Sequence, residues 1–228
     1  EYLDNKLYML LENDESEQAL LVLDELLKLH TDPSDIRKKH LMKLTIYIED
    51  EKFNQALDYI NKLSKKYDKD LEFLVMKMYC LNLLGRLDEA ELVANYTIKM
   101  IESRPLIILD FLDSNSEKID PQTLGSFYYN AACVYSLLEK EKPALIALEN
   151  ALKYNITTTY NHIENDSDLK FIKKNPQYNE IVHRYFVEDN NNIEVLEIID
   201  EYSYGIDLDI ASRHALLDSA LSLILDSK

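Results

Sequence analysis

The sequence has 3 glycines and 5 prolines in 228 residues, and no tryptophan. Scarce glycine excludes designs that depend on a left-handed or side-chain-free backbone. Phosphate-cradling loops, dinucleotide-binding turns, collagen and most turn-rich β-sandwiches fall on that ground. Cysteine is scarce too. Cys80 and Cys133 have no Cys or His at metal-ligand spacing, and each sits in an apolar stretch with helical periodicity. They are expected to be reduced, buried and inert, since a chain this long needs no disulfide staple. No apolar run approaches the roughly 20 residues that span a bilayer. The longest, Leu106 to Leu109, stops at Asp110.

Catalytic patterns are missing as well. There is no nucleophile elbow, no zinc-protease helix and no phosphate-binding loop. Five histidines lie scattered. His162 with Asp166 and His183 with Glu180 have helical spacing, but such pairs arise readily among 42 acidic residues. No enzyme activity, no metal site and no cofactor is expected.

What is present is apolar periodicity of one kind. Leu71, Leu74, Val75, Met78 and Leu81 recur at steps of three and four, and almost every other segment reads likewise. The helices are short. Pro33, Pro121 and Pro176 stand near predicted helix starts, where a missing N–H costs nothing. Gly85 follows an apolar helix end, where a left-handed cap is wanted. Ala19, Ala56, Ala90 and Ala144 open second helices in similar contexts, at separations of 37, 34 and 54 residues. The last separation implies an insertion, which the Ser/Asn/Asp/Pro-containing stretch 105–124 supplies.

These paired short helices at a period near 34 resemble the tetratricopeptide repeat family. The fourth unit carries the likeness best. Tyr128 takes the place of the family's Trp, Ala131 and Ala132 its Leu-Gly pair, and Tyr135 its Tyr. Ala144, Leu148 and Ala151 follow at the family's spacing. Units one to three are degenerate, with Lys6, Lys43 and Lys77 in place of a small apolar residue. The stretch from Ile163 to Val182, with Asp166-Ser167-Asp168-Leu169 before Pro176-Gln177-Tyr178, is similar to the segment that closes many bacterial repeat arrays. The resemblance implies an all-α, right-handed solenoid of helical hairpins. Its units are expected at 1–33, 37–70, 71–104 and 125–158, with the insertion at 105–124 and the capping segment at 159–186. A helical extension is expected over 187–228. In the family, one face of each first helix lines a concave groove that receives a peptide. That places Leu41, Met42 and Thr45 of unit two, Val75, Tyr79 and Asn82 of unit three, and Tyr129, Asn130, Cys133 and Ser136 of unit four on the partner-binding face.

Charge adds a second expectation. Acids number 42 and bases 25, a net charge of −17. Residues 1–36 and 186–228 carry −8 each, whereas 37–70 carry +3. Such a chain repels nucleic acid and anionic lipid, and a basic partner would be steered to either end. The expected function is a protein-interaction module or scaffold that binds a peptide or protein. Two alternatives remain open: a non-catalytic regulatory region of a larger enzyme, and a ligand-responsive sensor. Because the sequence opens on Glu1 rather than Met, it is expected to be a piece of a longer protein; the likeness to the capping segment implies a bacterial origin, and with no spanning run the cytoplasm is the expected compartment.

Overall fold

The structure, a computed structural model, describes residues 2–103, 120–154 and 158–188. The expected insertion, 105–124, lies outside these residues as far as 119, and the expected extension, 187–228, lies outside them beyond 188. Every regular element among the described residues is helical. The chain divides into two compact units, 1–157 and 158–228.

The described residues of the first unit form eight helices: α1 (Tyr2–Glu12), α2 (Ser16–Leu29), α3 (Pro33–Glu49), α4 (Phe53–Tyr67), α5 (Leu71–Leu83), α6 (Leu87–Glu102), α7 (Pro121–Leu137) and α8 (Glu141–Lys153). They pair as α1–α2, α3–α4, α5–α6 and α7–α8. First and second helices start differently. Asp32 accepts from the Ser34 and Asp35 N–H groups, Asp70 from Glu72 and Asp120 from Thr123, so α3, α5 and α7 begin on side-chain caps. Pro33 and Pro121 follow two of those caps, as their fixed φ favours. The second helices have no side-chain cap, because each emerges directly from a tight turn that closes the helix before it.

That turn is built four times in the same way. The Glu15, Lys52, Arg86 and Lys140 N–H groups reach back to the carbonyls of Leu10, Tyr47, Leu81 and Tyr135 at 2.7–2.9 Å. One residue earlier, Asp14, Glu51, Gly85 and Glu139 adopt φ of 56°, 57°, 68° and 57° and donate to Leu11, Ile48, Asn82 and Ser136. This is the double hydrogen-bonded left-handed cap of a helix end. Four residues after each of Glu15, Lys52, Arg86 and Lys140 comes one of Ala19, Ala56, Ala90 and Ala144, all fully buried. The alanine spacing seen in the sequence is therefore the spacing of one repeated hairpin.

Only Gly85 suits the left-handed position. A Cβ there would meet nothing within 4 Å, so the demand is conformational and not one of space. A left-handed L-residue costs about 1–2 kcal/mol, part of which glycine's greater freedom in the unfolded chain cancels. Glu51→Gly and Glu139→Gly are each expected to stabilise by about 0.5–1 kcal/mol, and Gly85→Ala to destabilise by a similar amount. Urea midpoints followed by circular dichroism check the three signs.

Successive hairpins pack side by side. α2 lies on α3, α4 on α5 and α6 on α7, while α3 also touches α5 and α5 touches α7. Leu7, Leu10, Val22, Leu23 and Leu26 of the first hairpin form one cluster with Ile46 of α3. α7 is buried along most of its length, including Tyr128 and Tyr135, and keeps only a narrow polar stripe through Gln122, Ser126 and Asn130. Tyr135 donates its hydroxyl to Asn95 of α6 at 2.8 Å, which ties the third and fourth hairpins across the long sequence separation between them.

In the second unit, α9 (Tyr160–Asn165) leads through two 3₁₀ turns, Ser167–Leu169 and Ile172–Lys174, to α10 (Pro176–His183) and a π-helical turn, Arg184–Glu188. Asp166 accepts from the Asp168 N–H and Asn175 from Gln177, so both polar residues of the motif are caps. Leu169, Ile172, Tyr178 and Ile181 are buried. Tyr178 stands where the resembled segment has Phe, and its hydroxyl donates to Glu164 Oε1 at 3.0 Å. The Lys173 ammonium closes the turn by donating to the Glu164 and Asp166 carbonyls.

Candidate functional site

The three first helices α3, α5 and α7 lie next to one another, so residues at matching positions on them form a row. On α3, Leu41 and Met42 are half-buried and Thr45 is exposed. On α5, Val75 and Asn82 are half-buried and Tyr79 is exposed at 37%. On α7, Tyr129, Cys133 and Ser136 are 9%, 4% and 0% exposed, on a helix that packs on α5, α6 and α8. Asn130 alone stays half-exposed there, and its amide donates to the Ser126 carbonyl at 2.9 Å. The accessible row is thus Thr45, Tyr79 and their half-buried neighbours on α3 and α5.

Cys80 and Cys133 form no disulfide and are buried. Burial pushes the Cys80 thiol up to about 11, which removes the thiolate needed for reactivity.

The charge asymmetry of the sequence has a visible use inside the first unit. Lys39 donates to Asp4 at 2.7 Å and Lys43 to Asp24 at 2.5 Å, so bases of the second hairpin meet acids of the first. Arg37 bonds Asp70 through Nε and Nη2, and its guanidinium also reaches Glu72 at 3.1 Å. Ser16 donates to Asp50 at 2.8 Å, and Lys52 does the same. The Lys39 hydrogen bond holds the Asp4 carboxyl down at about 2.

Lys43 is the one of these bases that is buried. It occupies a place where the resembled repeat has a small residue. The interface accepts it because its stem packs inside while its ammonium finds Asp24 and lies 5.1 Å from the Tyr59 ring centroid. Sequence periodicity marked Lys43 only as a departure; no local signal pointed to its partner. His40, one turn earlier, shares a 2.7 Å hydrogen bond between Nδ1 and the Tyr59 hydroxyl. Its ring centroid lies 5.8 Å from those of Tyr59 and Tyr67. Desolvation, followed by the charges of Lys66 and Lys43, lowers the His40 pKa from 6.5.

The groups facing His40 are therefore Lys43 on α3, Tyr59, Lys66 and Tyr67 on α4, and, through Lys43, Asp24 on α2. A histidine with a lowered folded pKa binds fewer protons in the fold than in the unfolded chain. Its contribution is present above pH 6.5 and is lost as pH falls from there through the folded value. The slope of unfolding free energy against pH just below 6.5 is expected to be positive and to flatten in His40→Gln. Urea titrations across that window check it.

A cavity of about 410 Å³ opens between α4, α5 and α6. Ile60, Phe73, Leu74, Leu92 and Tyr96 form its apolar walls, and Ser64, Asp68 and Lys77 its polar edge. Phe73 and Lys77 stand half a turn round α5 from Val75 and Tyr79, so the cavity and the first-helix row occupy opposite sides of that helix. Sequence analysis passed over this cavity, because its walls come from three helices that no single periodic stretch relates.

No protein-family model matches this chain, and no curated protein matches it. Among the described residues no helix is long and apolar enough to cross a membrane.

Proposed function

We propose that this chain is a protein–protein interaction module, a right-handed solenoid of tetratricopeptide-like hairpins without catalytic function. It receives a peptide or partner protein along the face of its first helices. The reading is supported by the repetition of one hairpin, turn for turn, with α3, α5 and α7 laid side by side. Such an array presents matching positions of successive units as one extended surface, which is how repeat proteins hold extended ligands. Tyr79 is the anchor on this surface. It is large and amphipathic, it stands in solvent, and half-buried Val75 flanks it on the same face. The acidic charge of the first hairpin favours a basic ligand. In this reading the working setting is the bacterial cytoplasm.

A peptide-display library panned on the chain tests this. Selected peptides are expected to lose at least about tenfold in affinity to Tyr79→Ala and to Thr45→Arg. Selected peptides that bind both variants as tightly as the parent chain would reject the first-helix face as the binding site.

A further inference from the structure

We propose that the first-helix face is polarised along the array, and that it takes an extended segment of a partner with apolar residues at one end and basic residues at the other, spaced three apart. This polarity rests on the first-helix reading above and adds the order and spacing of the ligand's residues.

The repeated turn sets the register. Leu10, Tyr47, Leu81 and Tyr135 each accept the hydrogen bond that closes a hairpin turn, so residues at equal distances from them match. Two positions after these acceptors stand Glu12, Glu49, Leu83 and Leu137. All four are exposed, the leucines at 47% and 39%. Leu83 lies one turn along the same face from Tyr79. The matched position is thus acidic in units one and two and aliphatic in units three and four.

The turns that follow change in the same sense. Residues 12–17 hold four acids and no base, 49–54 three acids and one base, 83–88 one of each, and 137–142 two of each. Neither Glu12 nor Glu49 forms an ion pair with a described residue, whereas Lys52, Arg86 and Lys140 of the turns are already held by Asp50, Glu89 and Glu91. Free carboxylates therefore gather at one end of the face and exposed leucines at the other.

Spacing follows from the packing. α3, α5 and α7 touch in succession, and Lys39 of α3 reaches Asp4 of α1. Packed helices lie roughly 8–10 Å apart. An extended chain in the polyproline II conformation advances about 9 Å in three residues and returns its side chains to the same side. Every third ligand residue then meets the next helix. Leu137 and Leu83 meet two apolar side chains, and Glu49 and Glu12 meet two bases. The leucines give affinity, and the carboxylates give orientation and salt-dependent encounter.

The test uses the whole chain and fluorescein-labelled decapeptides with proline at the spacing positions. The four remaining places carry Leu-Leu-Arg-Arg, Arg-Arg-Leu-Leu or the alternating Leu-Arg-Leu-Arg. Fluorescence polarisation is expected to rank one clustered order at least about tenfold above the alternating peptide. Leu83→Ser and Leu137→Ser are each expected to weaken that peptide about fivefold at any salt. The double variant Glu12→Lys/Glu49→Lys is expected to weaken it about tenfold at low salt and less at high salt. With Glu in place of Arg, the peptide is expected to bind that double variant and not the parent chain. All four residues are exposed, so unchanged urea midpoints separate lost binding from lost fold. Three results would overturn the polarity: neither clustered peptide binds, the alternating peptide binds as tightly, or charge reversal changes nothing. Clustered and alternating peptides that bind equally and are both lost in Tyr79→Ala would leave the first-helix face as the binding site and remove only its polarity. Peptides that bind Tyr79→Ala and the leucine variants like the parent chain would count against both readings.

Discussion

Ala144→Leu is expected to destabilise the first unit by about 3 kcal/mol, a large share of the 5–15 kcal/mol that holds a typical domain folded. Ala144 is fully buried at the start of α8, where its N–H already bonds the Lys140 carbonyl of the tight turn. α8 packs closely on α7, whose Ala131 and Ala132 are fully buried as well. Small residues on both helices allow this approach. Three further carbon atoms must push the helices apart or force strained rotamers, and the backbone beside the turn has no freedom to yield. Ile146→Ala on the same helix provides the control. Ile146 is 62% exposed, and its loss is expected to shift stability by no more than about 0.5 kcal/mol. Urea unfolding by far-ultraviolet circular dichroism reads both. Equal midpoints for the two variants would contradict close helix approach as the reason for the alanine.

Tyr129→Ala is expected to cost about 3 kcal/mol as well, through the cavity left behind a buried aromatic side chain. Tyr79→Ala, on the same face of the first helix one repeat earlier, where its own counterpart in α7 is Cys133, is expected to cost less than about 1 kcal/mol, because the Tyr79 ring is already partly in water. The pair thus separates packing from recognition on equivalent faces of neighbouring units. Tyr79→Ala acts on ligand affinity with stability nearly unchanged, and Tyr129→Ala acts on stability first. Similar urea midpoints for the two variants would mean that Tyr129 is as accessible as Tyr79 and would return α7 to the binding face.

The helices, their hairpin pairing and the repeat were legible in the sequence because each follows from local rules. Periodic apolar residues make a helix amphipathic at any place in a chain. Asp32, Asp120 and Asn175 cap helices through their own side chains, with Pro33, Pro121 and Pro176 pre-set for the first turn. The spacing of Ala19, Ala56, Ala90 and Ala144 carried the repeat, since close approach demands a small residue at one place in every hairpin. Gly85 disclosed one turn, and the alanine register placed the other three, although Asp14, Glu51 and Glu139 occupy their left-handed positions against local preference.

Partnership between distant residues was settled only by tertiary structure. Tyr79 and Tyr129 look alike in a helical wheel, yet one is exposed and the other buried, because burial depends on how many neighbours surround a helix and not on its own pattern. Lys43 reads as a defect of the repeat until Asp24 and Tyr59 are brought to it from two other helices. The cavity between α4, α5 and α6 exists only once three helices are placed together. Local sequence determines which face of a helix is apolar, because that follows from 3.6 residues per turn. Which faces are then covered, and which charges meet, is a property of the packed array, because contacts between segments far apart in the chain leave no periodic trace within either one.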